Sequence, residues 1–359
     1  MRLLNVCETA KGGVGTYLNN LAGLSTPGME LHFVVPAQHT VTLDSRLNLI
    51  TYDYPKRGPR ALRNMLTAFE TARRALDPEV CFFHSTLSLA ALAAMRLRRD
   101  RRPAFYCAHG WAVGQYDETA PAGLATRLVE GRLCGLADRV VNVSAGERDM
   151  ALRLGYRGRH DVIENAVPGP IPDARADLFG DEPDAVHILF VGRMDPQKGL
   201  DLLLDAFAAA RAKRSDLRLH VVGEAVRKNG APVAMPPGAR MVGWVDKARI
   251  DDWYRSADAL IVPSRWEGLP LVIPEALRNG TPVLCSDRSG MGTLIDPGRT
   301  GQVFALDVPA ITGCLTGLDR SALRTMRRHC RTAYEDRFSI QRLLGEMRVL
   351  LDDVTAVPG

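Results

Sequence analysis

Short apolar runs alternate with amphipathic helical stretches along this chain, and that alternation limits it to few folds. In the first half, apolar runs at 3–7, 32–35, 80–83, 104–107 and 139–143 are separated by helical signals at about 15–24, 60–76 and 88–99. In the second half, runs at 187–191, 217–222, 259–262, 282–285 and 302–304 are separated by helical stretches ending near 210, 256 and 278. A helical tail covers 321–351 with a break near Phe338-Ser339. Runs this short and this apolar suit strands covered on both faces, so the expected class is α/β, with parallel sheets and helices on both sides. At 359 residues the chain is too long for one ordinary core, which suggests about two domains. The stretch 169–184, rich in Gly, Pro and Asp, is the best linker. The expected domains are 1–170 and 171–359, with the last helix, about 340–356, packing back on the first.

Composition excludes several classes. Hydrophobic residues make up 46% and charged residues 24%, as in a soluble globular protein. The net charge of +5 is too weak to imply nucleic acid unless clustered, and aromatics suited to base stacking are not interleaved with the arginines. The longest apolar stretch, 87–95, is far below the ~20 residues of a membrane span. The start, Met1-Arg2-Leu3-Leu4-Asn5-Val6-Cys7, is too short and polar for a signal peptide and reads as a strand. Seven cysteines without paired metal spacing read as reduced core thiols of a cytosolic protein.

In open parallel sheets, ligands bind outside the carboxyl ends of the strands, so the segments following the apolar runs hold the candidates. The first is Glu8-Thr9-Ala10-Lys11-Gly12-Gly13-Val14-Gly15-Thr16-Tyr17. A P-loop would need Gly-Lys-Ser/Thr after its glycines, and a dinucleotide fingerprint a glycine where Leu18 stands. What remains is a glycine-rich turn whose N–H groups can meet an anion at a helix start, against the plainer reading of a tight β–α turn. His109-Gly110 follows one strand, and His84-Ser85-Thr86, ranked lower, another. Val143-Ser144-Ala145-Gly146-Glu147 resembles a strand entering a helix through a serine cap. In the second half, Arg193 and Lys198 flank a turn at a helix entrance, a pair of cations suited to a diphosphate. The densest stretch is Pro263-Ser264-Arg265-Trp266-Glu267-Gly268-Leu269-Pro270, continuing to Pro274-Glu275 and a stop at Asn279-Gly280. It is read as a strand end, a loop and a helix entered near Pro274, with Glu267 in the loop and Glu275 in the first turn.

Two basic clusters stand apart. The helix at about 60–76 carries apolar residues on one face, with Lys56, Arg57, Arg60, Arg63, Arg73 and Arg74 mostly elsewhere; Arg96, Arg98, Arg99, Arg101 and Arg102 follow the next helix. One reading is a solvated face; the other is a surface drawn to anionic lipid headgroups.

Val191-Gly192-Arg193, Lys198-Gly199, Val242-Gly243-Trp244, Pro263-Ser264, Glu267-Gly268, Pro274-Glu275-Ala276 and Gly280-Thr281-Pro282-Val283 together resemble the retaining GT-B glycosyltransferases of family four, the group 1 glycosyl transferases. Gly12-Gly13-Val14-Gly15, His109-Gly110 and Val143-Ser144 extend the likeness to the first half. Asn165 resembles the asparagine of the family's interdomain strand, although Glu164, Ala166 and Pro168 depart from it. Gly223-Glu224-Ala225-Val226 stands where the family has Gly-x-Gly-Pro.

The resemblance implies two Rossmann-like domains and a nucleotide-sugar donor, UDP favoured, which is a substrate; no cofactor and no metal are expected. Arg193 and Lys198 would stabilise the leaving diphosphate. Gly13, with Gly15 beside it, would offer N–H groups to the phosphates, and Gly223 would lie by the donor. Val242 and Gly243 would meet the base and Glu275 the ribose. Glu267, with the N–H groups of Gly268 and Leu269, would hold the sugar. His109 would lie near the reaction centre. Retention in this fold is usually described as front-face attack, so no nucleophile is assigned. The implied enzyme moves a sugar to a glycan or polyprenyl-linked acceptor in cell-surface polysaccharide or glycolipid synthesis. Its expected place is the cytoplasm, at the inner face of the membrane if the basic helix binds lipid. The competing readings are a P-loop-like ATPase using Lys11 to Gly15 and a non-catalytic nucleotide-sugar binding protein.

Overall fold

The computed structural model describes residues 1–117, 119–171, 174–224 and 234–355. Contacts divide the chain into two compact units: Met1–Ala166 together with the segment from Ile340 onward, and Val167–Ser339.

The first unit is a parallel sheet wrapped by helices. In chain order it contains β1 (Arg2–Cys7), α1 (Gly12–Leu21), β2 (Glu30–Pro36), β3 (Asn48–Tyr52), α2 (Pro59–Leu76), β4 (Val80–His84), α3 (Leu89–Leu97), β5 (Ala104–Cys107), α4 (Pro121–Leu133), β6 (Arg139–Asn142), α5 (Ala145–Arg153) and β7 (His160–Val162). The strands lie in the order β3-β2-β1-β4-β5-β6-β7, all pairs parallel. The order reverses between β1 and β4, where Cys7 pairs with His84. Such a reversal opens a crevice at the carboxyl ends of the two strands, where open α/β sheets bind ligands. The central strands are buried on both faces, Leu3, Leu4, Val6, Phe82, Phe83, Phe105 and Tyr106 among them, so they read as continuous apolar runs. Helix α2 covers one face through Ala61, Met65, Phe69 and Ala72, at helical spacing.

The second unit repeats the plan. It contains β8 (Val186–Val191), α6 (Leu200–Lys213), β9 (Leu217–Val222), β10 (Ala239–Gly243), α7 (Ile250–Ser256), β11 (Ala259–Val262), α8 (Val272–Arg278), β12 (Val283–Ser286), β13 (Gly301–Phe304), α9 (Val308–Thr316) and α10 (Arg320–Arg337). Its order, β10-β9-β8-β11-β12-β13, reverses between β8 and β11. The final helix, α11 (Ile340–Thr355), belongs to the first unit by its contacts. It buries Leu343, Met347, Leu350 and Leu351, and Arg342 reaches the Glu164 carbonyl.

Three local readings change. Helix α1 begins at Gly12, not near Gly15, because Gly12 with φ +58° and Lys11 in an extended conformation complete the turn early. Helix α8 begins at Val272, so Pro274 is its third residue rather than its first; the first turn tolerates proline because its N–H groups have no partner within the helix. The 169–184 stretch is fastened to the second unit. Asp251 accepts from the Ile171 N–H at 2.9 Å, Asp252 from the Arg175 N–H at 2.7 Å, and Arg255 donates to the carbonyls of Ile171 and Ala174 at 2.7 and 2.8 Å. Side chains thus satisfy backbone groups that no strand or helix pairs. The Gly223-Glu224-Ala225-Val226 segment lies partly outside the described residues, from Ala225 onward.

Candidate functional site

Each unit gathers its candidate residues at the carboxyl ends of its strands, most of them around the reversal of strand order.

In the second unit, the loop after β8 carries Arg193, Asp195, Gln197 and Lys198. Asp195 caps the short turn Pro196–Lys198 by accepting from the Lys198 N–H, and its carboxylate lies 3.0 Å from Arg193. Gly199 follows with φ +68°, and a Cβ there would lie 2.0 Å from the Pro263 carbonyl oxygen. The loops after β8 and β11 are therefore in backbone contact. Gln197 donates to the Trp266 carbonyl at 2.9 Å and accepts, through its own carbonyl, from the Arg265 N–H at 2.7 Å. Arg265 grips Asp201 through two bonds of 2.8 and 2.6 Å. Within this frame Lys198 Nζ donates to Glu267 Oε1 at 2.5 Å, their side chains only 18% and 9% exposed. The sheltered pair bridges β8 and β11, the two strands flanking the reversal. Arg193 is 62% exposed beside it.

Glu275, half-buried in α8, accepts from the hydroxyl of buried Tyr254 at 2.8 Å. Burial raises its carboxyl above the usual range. Leu269 is buried on the loop leading to α8. Gly223 packs against the Gly192 carbonyl, which a Cβ would meet at 1.9 Å, and its N–H donates to Gly243 at 2.8 Å. Val242 and Gly243 end β10 at the sheet edge, with Gly243 at φ +86°.

In the first unit, Gly12 and Gly13 open α1 exposed, and Lys11, its N-cap, makes no side-chain cap bond. Gly15 is buried inside the helix, where a Cβ would lie 2.4 Å from the Ala10 carbonyl oxygen. Its lack of a side chain therefore serves close packing. Lys11 precedes the helix and Thr16 follows Gly15, so nothing here has the lysine placement of a P-loop.

His84 ends β4 and His109 follows β5. Their imidazoles meet at 3.0 Å, Nδ1 of His84 to Nε2 of His109, and His84 Nε2 lies 3.1 Å from Asn5 Oδ1 on β1. Tyr17 of α1 stands edge-on to the His109 ring at 4.7 Å. Burial pushes His84 well below the usual imidazole range and His109 down to about 3. The loop bearing His109, itself at φ +56°, is held by two buried carboxylates. Glu147 accepts from the N–H groups of Gly110 at 2.5 Å and Val143 at 2.6 Å, and Glu130 from those of Ala112 at 3.1 Å and Val113 at 3.2 Å. Burial raises Glu147 to about 7.

Sequence reasoning missed the roles of Glu130, Glu147, Gln197 and Tyr254. One signal was present for Glu147, which stands three residues after Ser144 as in a capping box, and the Ser144 hydroxyl does accept from the Glu147 N–H at 3.1 Å; what the signal does not give is that the carboxylate also reaches the Gly110 N–H of the neighbouring loop. Among the described residues, no cluster of three or more His, Cys, Asp or Glu side chains could hold a metal ion.

The basic face of α2 is largely paired. Arg57 lies 2.9 Å from Glu8 and Arg60 3.4 Å from Asp53. Arg73 meets Glu70 at 2.8 Å and Asp100 at 2.7 Å, and Arg74 meets Glu70 at 2.6 Å. Lys56 and Arg63 have no carboxylate partner among the described residues. Arg63 borders a groove of about 440 Å³ floored by Leu62 and Leu66 and rimmed by Arg98. No helix among the described residues is long and apolar enough to cross a membrane.

Two parallel-sheet α/β units, each with its polar loops at a reversal of strand order, are the architecture of the GT-B glycosyltransferases. Solved structures agree on the fold. Sucrose-phosphate synthase from Thermosynechococcus elongatus superposes with a TM-score of 0.81 over 99% of this chain and 100% of that one, at 20% identity. The Anabaena protein Alr3699/HepE in complex with UDP-glucose gives 0.78 over 98% and 100%, at 16% identity. The model described as Glycosyltransferase Family 4 matches residues 11–168, and that described as Glycosyl transferases group 1 matches 185–318. The chain belongs to this family, the group 1 glycosyl transferases of family 4. D-inositol 3-phosphate glycosyltransferase 2 of Catenulispora acidiphila is 32% identical over 56% of this chain, and the match spans about half of that relative, 53%. An uncharacterised 41.2 kDa protein in the cps region of Klebsiella pneumoniae is 25% identical over 84% of this chain and 86% of its own length.

Proposed function

We propose that this chain is a retaining glycosyltransferase that takes a sugar from a nucleoside diphosphate sugar, UDP favoured, and passes it to a glycan or polyprenyl-linked acceptor. The observation that carries the reading is the Lys198–Glu267 pair, 2.5 Å across the reversal of strand order between β8 and β11. In this reading Lys198 and Arg193 receive the charge that develops on the departing diphosphate, and Glu267 holds Lys198 in place while its remaining lone pairs meet sugar hydroxyls. Glu275, steadied by Tyr254, takes the ribose. Gly13 offers the exposed N–H groups at the start of α1 to phosphate oxygens. Charge neutralisation by two cations leaves no step that calls for a metal. The UDP and UDP-glucose carried by the Anabaena neighbour support UDP over other bases.

Thermal-shift measurement with UDP-, GDP- and ADP-sugars tests the donor. A ligand at a hundred times its Kd stabilises the folded state by about 2.7 kcal/mol, so the UDP-sugar should raise Tm by several degrees. Lys198→Ala and Arg193→Ala should abolish the rise. A flat response to all three donors would sink the reading. Retention is checked by the anomeric configuration of the first product, and metal independence by activity in excess EDTA. Membrane binding is tested at Lys56 and at Arg63, the latter beside the α2 groove: the protein should bind anionic vesicles at low salt, and Lys56→Glu with Arg63→Glu should release it.

A further inference from the structure

The two imidazoles at the strand ends of the first unit form part of a longer chain whose direction can be worked out. It starts at a backbone carbonyl that can only accept: the His32 oxygen on β2 receives Asn5 Nδ2 at 3.3 Å. That contact fixes the Asn5 amide, because the flipped rotamer would set two oxygens against each other. Asn5 Oδ1 must then face His84 Nε2, 3.1 Å away, so His84 carries its proton on Nε2. Burial keeps His84 neutral, so its Nδ1 bears a lone pair. The facing nitrogen, His109 Nε2 at 3.0 Å, must be the donor. His109 is likewise neutral, its ring held down to about 3 by burial. One proton is all a neutral imidazole has, so His109 Nδ1 is an acceptor, and it has no hydrogen-bond partner among the described residues.

We propose that Asn5 and His84 are positioning residues that lock His109 in its Nε2–H tautomer and leave Nδ1 to accept a hydrogen bond from a substrate hydroxyl. The ring has little other freedom. Tyr17 stands edge-on to it, and the backbone beside it is pinned by Glu147 through the Gly110 N–H. The lock excludes a role for His109 as a cation against phosphate and assigns phosphate charge to other groups. The catalytic consequence rests on the glycosyltransferase reading above; the tautomer does not.

The test pairs a spectroscopic measurement with kinetics on the full chain. Long-range ¹⁵N–¹H correlation spectra of histidine-labelled protein distinguish a protonated from an unprotonated ring nitrogen. His109 should show a protonated Nε2 and a bare Nδ1. In His84→Phe, which keeps the ring shape and removes the acceptor, both tautomers of His109 should appear. In His84→Asn, whose Oδ1 can replace the lost acceptor, the single tautomer should return. With an accepted donor, kcat should fall roughly tenfold or more in His84→Phe, with KM changed less than about threefold, and recover in part in His84→Asn. A wild-type His109 protonated on Nδ1 overturns the proposal, whether or not the variants fold. So does a His84→Phe protein in which neither the tautomer nor kcat moves. A correct tautomer that responds to His84→Phe in a protein transferring no sugar would uphold the lock and overturn the glycosyltransferase reading instead.

Discussion

Gly199 and Gly298 share nearly the same backbone, with φ +68° and +80°, yet differ in what surrounds them. A Cβ on Gly199 would lie 2.0 Å from the Pro263 carbonyl oxygen, whereas one on Gly298 would have nothing within 4 Å. Gly298→Ala should therefore cost only the left-handed strain, about 1 kcal/mol. Gly199→Ala adds a backbone clash that nothing flexible can relieve, and its total should be roughly 2–4 kcal/mol. The extra cost falls on the contact that sets Lys198 against Glu267, so Gly199→Ala should also weaken nucleotide-sugar binding while Gly298→Ala leaves it unchanged. Urea midpoints and donor titrations on both variants check this; equal costs would mean that the two loops are not held together at this glycine.

Helix α11 shows how an element can follow one unit in sequence and pack in the other. Its buried stripe of Leu343, Met347, Leu350 and Leu351 recurs at helical spacing, and its neighbour Leu344 lies so close to Gly23 that a Cβ there would sit 2.4 Å from it. Met347→Ala empties a fully buried position and should cost about 2–5 kcal/mol. The loss belongs to the first unit, so hydrogen exchange should accelerate in Met1–Ala166 and hold steady in Val167–Ser339. Acceleration confined to the second unit would contradict that placement. Elements of this kind were legible in the sequence: the stripe of α2, the run that became β9 and the break between α10 and α11 rest on local periodicity and turn residues. Strand β3 and helices α4 and α9 were not. Asn48–Tyr52 has only part of its alternation buried, and α4 leaves Leu124, Leu128 and Val129 exposed, so its apolar face does not stand out. The site divides the same way. Arg193, Lys198 and Glu267 were readable because strand-to-helix corners announce themselves in Gly and Pro. The clamping of the His109 loop by Glu130 and Glu147 was not, because it depends on which distant backbone N–H groups arrive beside a buried carboxylate.

Across the whole chain, each unit holds a pair of neutral histidines, and the two pairs should not respond equally to acid. In the second unit His220 Nε2 and His187 Nδ1 lie 3.0 Å apart, with Arg240 donating to His220 at 2.8 Å and Phe179 stacked on both rings. Burial, helped by the Arg240 charge, pushes His220 down to about 3, and burial lowers His187. Such groups stay neutral in the folded protein while the unfolded chain takes up protons below about pH 6.5, so stability is lost as pH falls from there towards 3. The first unit has the same liability in His84 and His109, but also an opposing term. Glu147 is raised to about 7 and burial raises Glu8 and Glu130. A carboxyl raised in the folded state binds its proton more tightly there, so its contribution grows as pH falls through 7 towards 4.5. Among the described residues of the second unit, burial raises one carboxyl, Glu275, to set against its histidines. Between pH 7.5 and 5.5 a histidine that stays neutral, as His220 does, removes roughly 1 kcal/mol, and the lowered His187 adds to the loss in the second unit. Three of the four tryptophans lie there, with Trp253 6.0 Å from His220, so fluorescence-monitored urea unfolding follows that unit. Its midpoint should drop on acidification, while hydrogen exchange in Met1–Ala166 changes less once corrected for the intrinsic pH dependence of exchange. A His187→Phe, His220→Phe variant removes both titrating rings and should flatten the pH dependence of the fluorescence transition; a transition that stays equally acid-sensitive would place the cause outside this histidine pair.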